Sequence, residues 1–466
     1  MNTMMERKAR MKTGNSYILR AVMVAALGGL LFGYDTSVVS GAIGYLRTRF
    51  ALDAAQMGWA AASALAGCVI GCLFAGMLSD RYGRKKILIF AAILYLVSAV
   101  GSALAVDLNT FVILRIIGGI GVGFASLVSP LYIAEISPAD IRGRMVSYNQ
   151  FAIVSGILLV YFVNYFIAAQ GTETWNVNLG WRWMFGSESL PALLFLACLF
   201  FVPESPRWLI KQGQTDQATN ILERISDHAS VREQVNDIRE TILHENSNFS
   251  QILKPGLRTA LIIGIVLAVL QQVSGINVFL YYGPEIFKNL GAGANAALLQ
   301  TIIVGAFNMG FTIVAIRTVD KLGRRALMML GAAGMSFCLF AMGLAAWLQQ
   351  SPIWQLVFIL GFISCFSLSV GPVTWVILSE IYPTRIRGRA ISVATVFLWA
   401  ANWLVSQTFP ILDENAALVR LFNHGFTFWV YGVMCLILFF FVRNIVPETK
   451  GRSLEEIEGM WLGSKV

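Results

Sequence analysis

Apolar residues recur along this chain in long runs. Twelve runs have approximate edges 17–45, 56–78, 87–106, 109–134, 145–168, 182–202, 257–283, 296–317, 326–348, 353–379, 390–411 and 421–442. An α-helix rises 1.5 Å per residue, so about 20 apolar residues cross ~30 Å of hydrocarbon. The runs therefore predict an all-α membrane protein of twelve transmembrane helices. The short alternating segments of a transmembrane β-barrel are absent. Segment 203–256 interrupts the series with fourteen of the sixty-one charged residues. Within it, 217–225 and 231–243 have helical spacing with polar outer faces, which predicts a small helical insert outside the membrane.

The connections between runs give the orientation. Lys and Arg cluster before run 1 (Arg7, Lys8, Arg10, Lys12), after run 2 (Arg81, Arg84, Lys85, Lys86) and after run 4 (Arg142, Arg144). They cluster again around the connection after run 8 (Arg317, Lys321, Arg324, Arg325) and after run 10 (Arg385, Arg387, Arg389). The alternate connections are poor in base, with Asp107 alone after run 3. The positive-inside rule then places both termini and the insert in the cytoplasm. The start of the chain reads as a cytoplasmic tail rather than a cleavable signal, because the apolar run behind it is too long.

The two halves of the chain repeat. SDRYGRKK (79–86) follows run 2 and VDKLGRRA (319–326) follows run 8; YIAEISPADIRGR (132–144) follows run 4 and ILSEIYPTRIRGR (377–389) follows run 10. The expected organisation is a tail (1–16), a six-helix half (17–202), the insert (203–256), a second six-helix half (257–442) and a tail (443–466). Parallel six-span repeats are the architecture of secondary transporters whose site lies between the halves near the midplane.

Composition narrows the chemistry. Hydrophobic residues make up 57% of the chain and charged residues 13%, against roughly 25% charged in soluble domains. The net charge of +9 sits in the connections, which is topology rather than a nucleic-acid face. All six cysteines lie in apolar runs, and His228, His244 and His424 are scattered, so neither a disulfide framework nor a metal site is expected. No cofactor motif appears. There is no Walker A loop, so uphill transport would need an ion gradient. No nucleophile–base constellation suggests an enzyme.

Ionisable side chains inside spans are functional candidates, since each costs ~2.5–3.5 kcal/mol or more. Asp35, Arg115 and Glu188 qualify. At 1.5 Å per residue, Asp35 lies about 15 Å from the outer end of span 1, and Arg115 and Glu188 lie roughly 9 and 10 Å from the outer ends of spans 4 and 6. The three can meet. An ionised Asp35 is stabilised beside Arg115, and a proton on it would release Arg115 toward Glu188. A static ion-pair network is the competing reading. Span 7 offers Gln271, Gln272 and Asn277, amides suited to sugar hydroxyls. Gln272 and Asn277 would be about 140° apart on an ideal helix, so they converge only if the helix breaks, and Ser274-Gly275 is the natural place.

Several longer motifs carry a family resemblance: GYDTSVVSGA (33–42), the paired DRYGRKK and DKLGRR loops, PESPRWL (203–209), QQVSGINVFLYYGPEIF (271–287), GPVTWVILSEIYPTRIRGR (371–389) and VPETKGRSLEEIE (446–458). Together they span about 17–460, and the chain resembles the sugar-porter family of the major facilitator superfamily. The resemblance implies a monosaccharide carrier, coupled to protons where an aspartate occupies the GYD position. It implies sugar contacts from Gln150, Gln271, Gln272, Asn277, Tyr281, Asn308, Gly371, Trp375 and Trp399, with Phe32 and Phe366 lining the pocket. It implies a cytoplasmic gate in which Glu135 pairs with Arg387 and Glu380 with Arg142, with Arg84 and Arg324 nearby. SLEEIEGMW (453–461) resembles a short closing helix. Leu398 and Val370 depart from the pattern of the family's xylose carriers, which leaves the sugar open. The partners implied are a monosaccharide, a proton and the bilayer of a cell (inner) membrane, with the chain acting as a monomer. An uncoupled uniporter and a sugar-sensing receptor are the alternative readings.

Overall fold

In hydrocarbon an unpaired backbone N–H or C=O costs several kcal/mol, so apolar stretches of this length fold as helices. The computed structural model describes residues 2–138, 141–225, 228–244, 256–289, 291–382, 386–450 and 461, and contains no strand among them. Eleven helical segments are long and apolar enough to cross a membrane. Nine are single helices: α1 (Asn2–Phe50), α2 (Ala54–Tyr82), α3 (Arg84–Leu104), α4 (Leu108–Ile136) and α5 (Arg142–Ala168) in the first half, and α14 (Ala294–Leu322), α15 (Arg324–Trp347), α18 (Arg387–Asp413) and one more in the second. That ninth helix, α20 (Phe426–Asn444), closes the second half. Spans 7 and 10 are composite, α12 (Leu257–Val273) with α13 (Ile276–Asn289), and α16 (Pro352–Cys365) with α17 (Gly371–Glu380).

The twelfth span, sixth in order, is in pieces. α6 (Glu173–Trp175) leads through a π turn over 176–180 into α7 (Trp181–Gly186), and α8 (Ser189–Leu199) follows a break at Ser187-Glu188. Pro191 explains the break: it has no N–H for the Ser187 carbonyl, which accepts instead from Leu190 N at 3.3 Å. The chain therefore has the expected twelve spans in two six-helix halves. The helix of α1 runs beyond the apolar run: its membrane-length part is Ser16–Phe50, close to the expected edge, and 2–15 continue the helix ahead of it.

Outside the spans, α9 (Pro206–Lys211), α10 (Thr215–Ile225) and α11 (His228–His244) make a small core of their own from Trp208, Leu209, Ala218, Leu222, Val231 and Val235. The Trp208 indole N–H anchors it to the Asp80 carbonyl at 2.9 Å, and Lys211 pairs with the Asp80 carboxylate at 3.1 Å.

The halves meet along α2 with α18 and α5 with α14. At the end of the bundle remote from this insert they are joined. Arg47 at the end of α1 donates both terminal nitrogens to Glu414 at 2.5 and 2.8 Å, and Gln407 donates to the Ala55 carbonyl at 2.9 Å. Deeper in, Tyr161 of α5 donates to the Leu280 carbonyl of α13 at 2.7 Å. The connection 414–425 contains α19 (Ala416–Phe422).

Candidate proton, sugar and gate sites

Asp35, Arg115 and Glu188 come together as one buried cluster. Their relative exposures are 0%, 1% and 0%. Arg115 Nη1 donates to Asp35 Oδ1 at 2.5 Å, and Nη2 reaches the Asp35 backbone carbonyl at 2.7 Å and Oδ2 at 3.4 Å. Such a buried, near-bidentate pair is among the stronger polar contacts in a protein. Glu188, at the break in span 6, has Asp35 and Arg115 as charged neighbours. Neither of its carboxyl oxygens has a donor among the described residues. Two carboxyls thus lie beside one guanidinium, which hydrogen-bonds to Asp35, and with both ionised the cluster would carry a net negative charge. An uncompensated buried charge costs several kcal/mol, so the charge count makes this cluster a candidate proton site.

The amides lie on the other half. Span 7 breaks where the sequence suggests, with Ser274 capping α12 and Gly275 at φ 87°, a conformation glycine adopts without penalty. The break lets Asn277 Nδ2 donate to Gln272 Oε1 at 2.6 Å; Gln272 Nε2 donates to Gln271 Oε1 at 3.1 Å, and Gln271 Nε2 to the Gly371 carbonyl at 3.1 Å. An amide relay therefore links the break in span 7 to the distortion in span 10. That distortion is a π turn over 366–370 immediately before Gly371-Pro372, where proline again withholds an N–H.

Around this relay, the Asn308 carboxamide oxygen accepts from Ser367 at 2.7 Å, and Asn402 donates to the Tyr281 hydroxyl at 3.3 Å. Phe32 packs on Trp399 with ring centroids 5.3 Å apart, across the two halves. Trp375 is exposed on α17 while Val373, Thr374, Ile377 and Leu378 of that helix are buried. Phe366 and Gln150 are half-buried. Leu398 and Val370 are buried, and the Val370 carbonyl accepts from Thr374 at 2.7 Å. Asn402 and Ser367 were missed from sequence, since a single polar residue in a span gives no pattern to read.

At the gate, pairing runs within each half rather than across. Arg84 Nε and Nη2 donate to the two oxygens of Glu135 at 2.9 Å each, and Ser205 donates to the same carboxylate at 2.5 Å. In the second half Arg324 Nη2 donates to Glu380 Oε1 at 3.0 Å, and the Thr449 hydroxyl donates to Glu380 Oε2 at 2.5 Å. The expected cross-half partners stand elsewhere: Arg387 Nε points to the Tyr382 carbonyl at 3.3 Å, and Arg142 is exposed. The reason is local competition, because Arg84 and Arg324 of the same half lie within hydrogen-bond distance of each glutamate. The side chain of Lys321 and most of 453–461 lie outside the described residues, but the Trp461 indole donates to the Ile381 carbonyl at 3.0 Å.

The motifs PES (203–205) and PET (447–449) complete the pattern as twin clasps. Glu204 accepts from the backbone N–H of Arg84, Lys85 and Ser205 at 3.0, 3.1 and 2.8 Å. Glu448 accepts from Arg324, Arg325, Thr449 and Lys450 at 3.1, 3.0, 3.1 and 3.0 Å. Each thus caps the helix that follows the loop, as a carboxylate at a helix N-terminus should. They titrate in opposite directions. Burial pushes Glu204 above 4.5 despite its N–H donors. Burial also opposes ionisation of Glu448, but its four backbone donors outweigh it and hold that carboxyl below 4.5.

Known proteins match this chain over nearly its full length. The family model described as "Sugar (and other) transporter" matches residues 21–461. The D-xylose-proton symporter of Escherichia coli K12 is 48% identical, over 96% of both chains. The arabinose-proton symporter of Bacillus subtilis is 44% identical, over 96% of this chain and 95% of its own. The glucose facilitated diffusion protein of Zymomonas mobilis is 38% identical, over 97% and 99%. Among solved structures, a major facilitator superfamily proton:xylose symporter bound to 6-bromo-6-deoxy-D-glucose superposes with a TM-score of 0.84 at 47% identity, covering 96% of this chain and 100% of that one. The twelve-span, two-half fold and the matched motifs have one source: the chain belongs to the sugar transporter family of the major facilitator superfamily.

Proposed function

We propose that this protein is a secondary active transporter that imports a pentose or hexose together with a proton by alternating access. The observation that carries the reading is the charge count at Asp35, Arg115 and Glu188: two buried carboxyls, one guanidinium, and room for one proton. The proton-coupled xylose and arabinose carriers among its relatives support the same reading. Both termini and the insert face the cytoplasm of a cell membrane, the residues 17–202 and 257–442 form the two moving halves, and one chain suffices for transport.

A proton arriving on Asp35 cancels its charge and frees Arg115 to turn toward Glu188. That exchange moves a guanidinium between α1 and span 6 and changes which conformation is lower in free energy. A shift from 1:99 to 99:1 needs about 5.5 kcal/mol of differential interaction, which a change of partner in a buried ion pair can supply. The sugar binds between the halves. Gln271, Gln272, Asn277, Asn308, Tyr281 and Gln150 provide hydroxyl partners, Gly371 lets the backbone approach, and Trp375, Trp399, Phe32 and Phe366 cover the apolar face. Because the Gln271 amide already touches the Gly371 carbonyl, a sugar that competes for that amide loosens span 10 from span 7. Glu135, Arg84, Arg142 and their counterparts Glu380, Arg324 and Arg387 form the cytoplasmic gate, whose cross-half pairs form when that side closes.

The second reading is a uniporter with the same sugar site, favoured by the glucose facilitator at 38% identity. The test is uptake of a panel of radiolabelled pentoses and hexoses into sealed proteoliposomes, with and without an inward proton gradient. Gradient-driven accumulation above equilibrium of one sugar is the expected result. Uptake that only equilibrates for every sugar carried establishes the uniporter.

A further inference from the structure

Glu188 stands at a weakened point of span 6, because Pro191 leaves the Ser187 carbonyl only Leu190 N at 3.3 Å in place of its normal donor. Something else has to fix the carboxyl opposite Asp35 and Arg115. Tyr34 and Ser187 immediately precede Asp35 and Glu188 in the chain. The Tyr34 hydroxyl lies 2.7 Å from Ser187 Oγ. Ser187 Oγ already donates its only proton to the Met184 carbonyl at 2.6 Å. Its remaining role toward Tyr34 is acceptor, so Tyr34 is the donor. The tyrosine ring is 2% exposed and has no freedom to reach elsewhere.

From this geometry we infer that Tyr34 and Ser187 are positioning residues for the proton site: their hydrogen bond ties α1 to the break in span 6 and sets the separation of the Asp35 and Glu188 carboxyls. Neither hydroxyl carries the proton. The bond is the cross-brace that the proline removed, supplied by the helix that bears Asp35. Because span 6 lacks one backbone hydrogen bond at Ser187, losing the brace lets Glu188 shift relative to Asp35 and Arg115. The inference rests on the coupled reading above.

The test is a double-mutant cycle of Tyr34→Phe and Ser187→Ala in proteoliposomes, with Ser187→Thr as the variant that keeps a hydroxyl. Sugar exchange in the absence of a proton gradient is expected within about twofold of the parent in all four. Gradient-driven accumulation is expected to fall about five- to tenfold in Tyr34→Phe and in Ser187→Ala, with its pH profile displaced. The double variant is expected to be no worse than either single one, since both remove one bond, and Ser187→Thr to restore most of the accumulation. Parental accumulation and pH profile in both single variants overturns the inference, as do losses that multiply in the double variant. Asp35→Asn run alongside separates the two claims. If it abolishes accumulation while Tyr34→Phe and Ser187→Ala do not, only the positioning role fails; if it leaves accumulation intact, the proton site itself is misplaced.

Discussion

The two halves have one plan and two chemistries. Each places a Gly-Arg loop after its second span, a glutamate at the end of its fourth, and a PES or PET clasp that caps the loop helix. Inside the membrane they diverge. The first half has unbroken α1 and α4, and hangs Asp35 and Arg115 on them. The second half breaks the corresponding spans, 7 at Gly275 and 10 over 366–370, and fills the breaks with amides and aromatics. On the proposed function, the difference follows what each ligand demands. A proton needs a charge held at fixed distance in a dry place, which straight helices supply. A sugar needs hydrogen-bonding groups from several directions and a way to report its presence, which broken helices supply. The exception sharpens the rule: the first half does break span 6, and it does so at Glu188, the one member of the charge cluster that would have to exchange partners.

The contrast can be broken from the first half with the largest effect. Arg115→Leu leaves two buried carboxyls without their guanidinium and is expected to cost ~3–5 kcal/mol, read as a large drop in thermal unfolding temperature in detergent. Asp35→Asn and Glu188→Gln added to it should recover most of that loss. An Arg115→Leu protein as stable as the parent would mean that the cluster is solvated rather than dry.

Next comes the second half. Gln271→Ala and Trp375→Ala should each weaken sugar binding by roughly 10- to 100-fold, the range of ~1–3 kcal/mol for an unpartnered buried polar group or a lost ring, without altering the Arg115–Asp35 pair. Calorimetric titration of the purified protein measures it. Unchanged affinity in both variants would remove the sugar from the broken helices.

The clasps differ by a smaller amount and through pH. Glu448 sits below its ordinary value, so its stabilisation is complete above about pH 4.5 and is lost as pH falls through its folded value. Glu204 sits above its ordinary value, so it contributes stability below about pH 4.5 that is lost as pH rises through its folded value. Glu448→Gln is therefore expected to cost about 1 kcal/mol at pH 7 and little once pH has fallen below its folded value, whereas Glu204→Gln costs less at pH 7. Unfolding temperatures from pH 4 to 8 decide it, and parallel curves would contradict the account.

Smallest of all is the join between the halves. Arg47 and Glu414 are 40% and 25% exposed, and such pairs are worth ~0.2–1 kcal/mol. Arg47→Gln should shift the population toward the state open at that end by about two- to fivefold. Double electron–electron resonance between spin labels across that end would record it, and exchanging the two charges should reverse it.

Much of this was legible in the chain. Twelve runs of apolar residues and two sets of matching loops dictate the bundle, because a bilayer allows helices and little else. Asp35, Arg115 and Glu188 stand out for the same reason, as charges where charge is costly. The break at Ser274-Gly275 followed from the amides on either side of it. Other features were not legible. The π turns and the break before Pro191 arise from a single missing N–H, which a hydropathy pattern does not register, so run 6 looked like one helix. The gate partners depend on which of several nearby cations each glutamate meets, and only the fold shows that Arg84 and Arg324 are nearer than Arg387 and Arg142. Tyr34, Ser187, Ser367 and Asn402 belong to no repeat or pattern, so spacing says nothing about their partners.

Proton coupling at Asp35 is the central claim, and one paired measurement addresses it. Purified Asp35→Asn and parent protein are reconstituted at equal density, and each is assayed for sugar exchange at equilibrium and for accumulation under an inward proton gradient. The account predicts that the variant exchanges sugar at a rate close to the parent's and accumulates none above equilibrium. A variant that exchanges and still accumulates would contradict it, and would put the proton on a group other than Asp35.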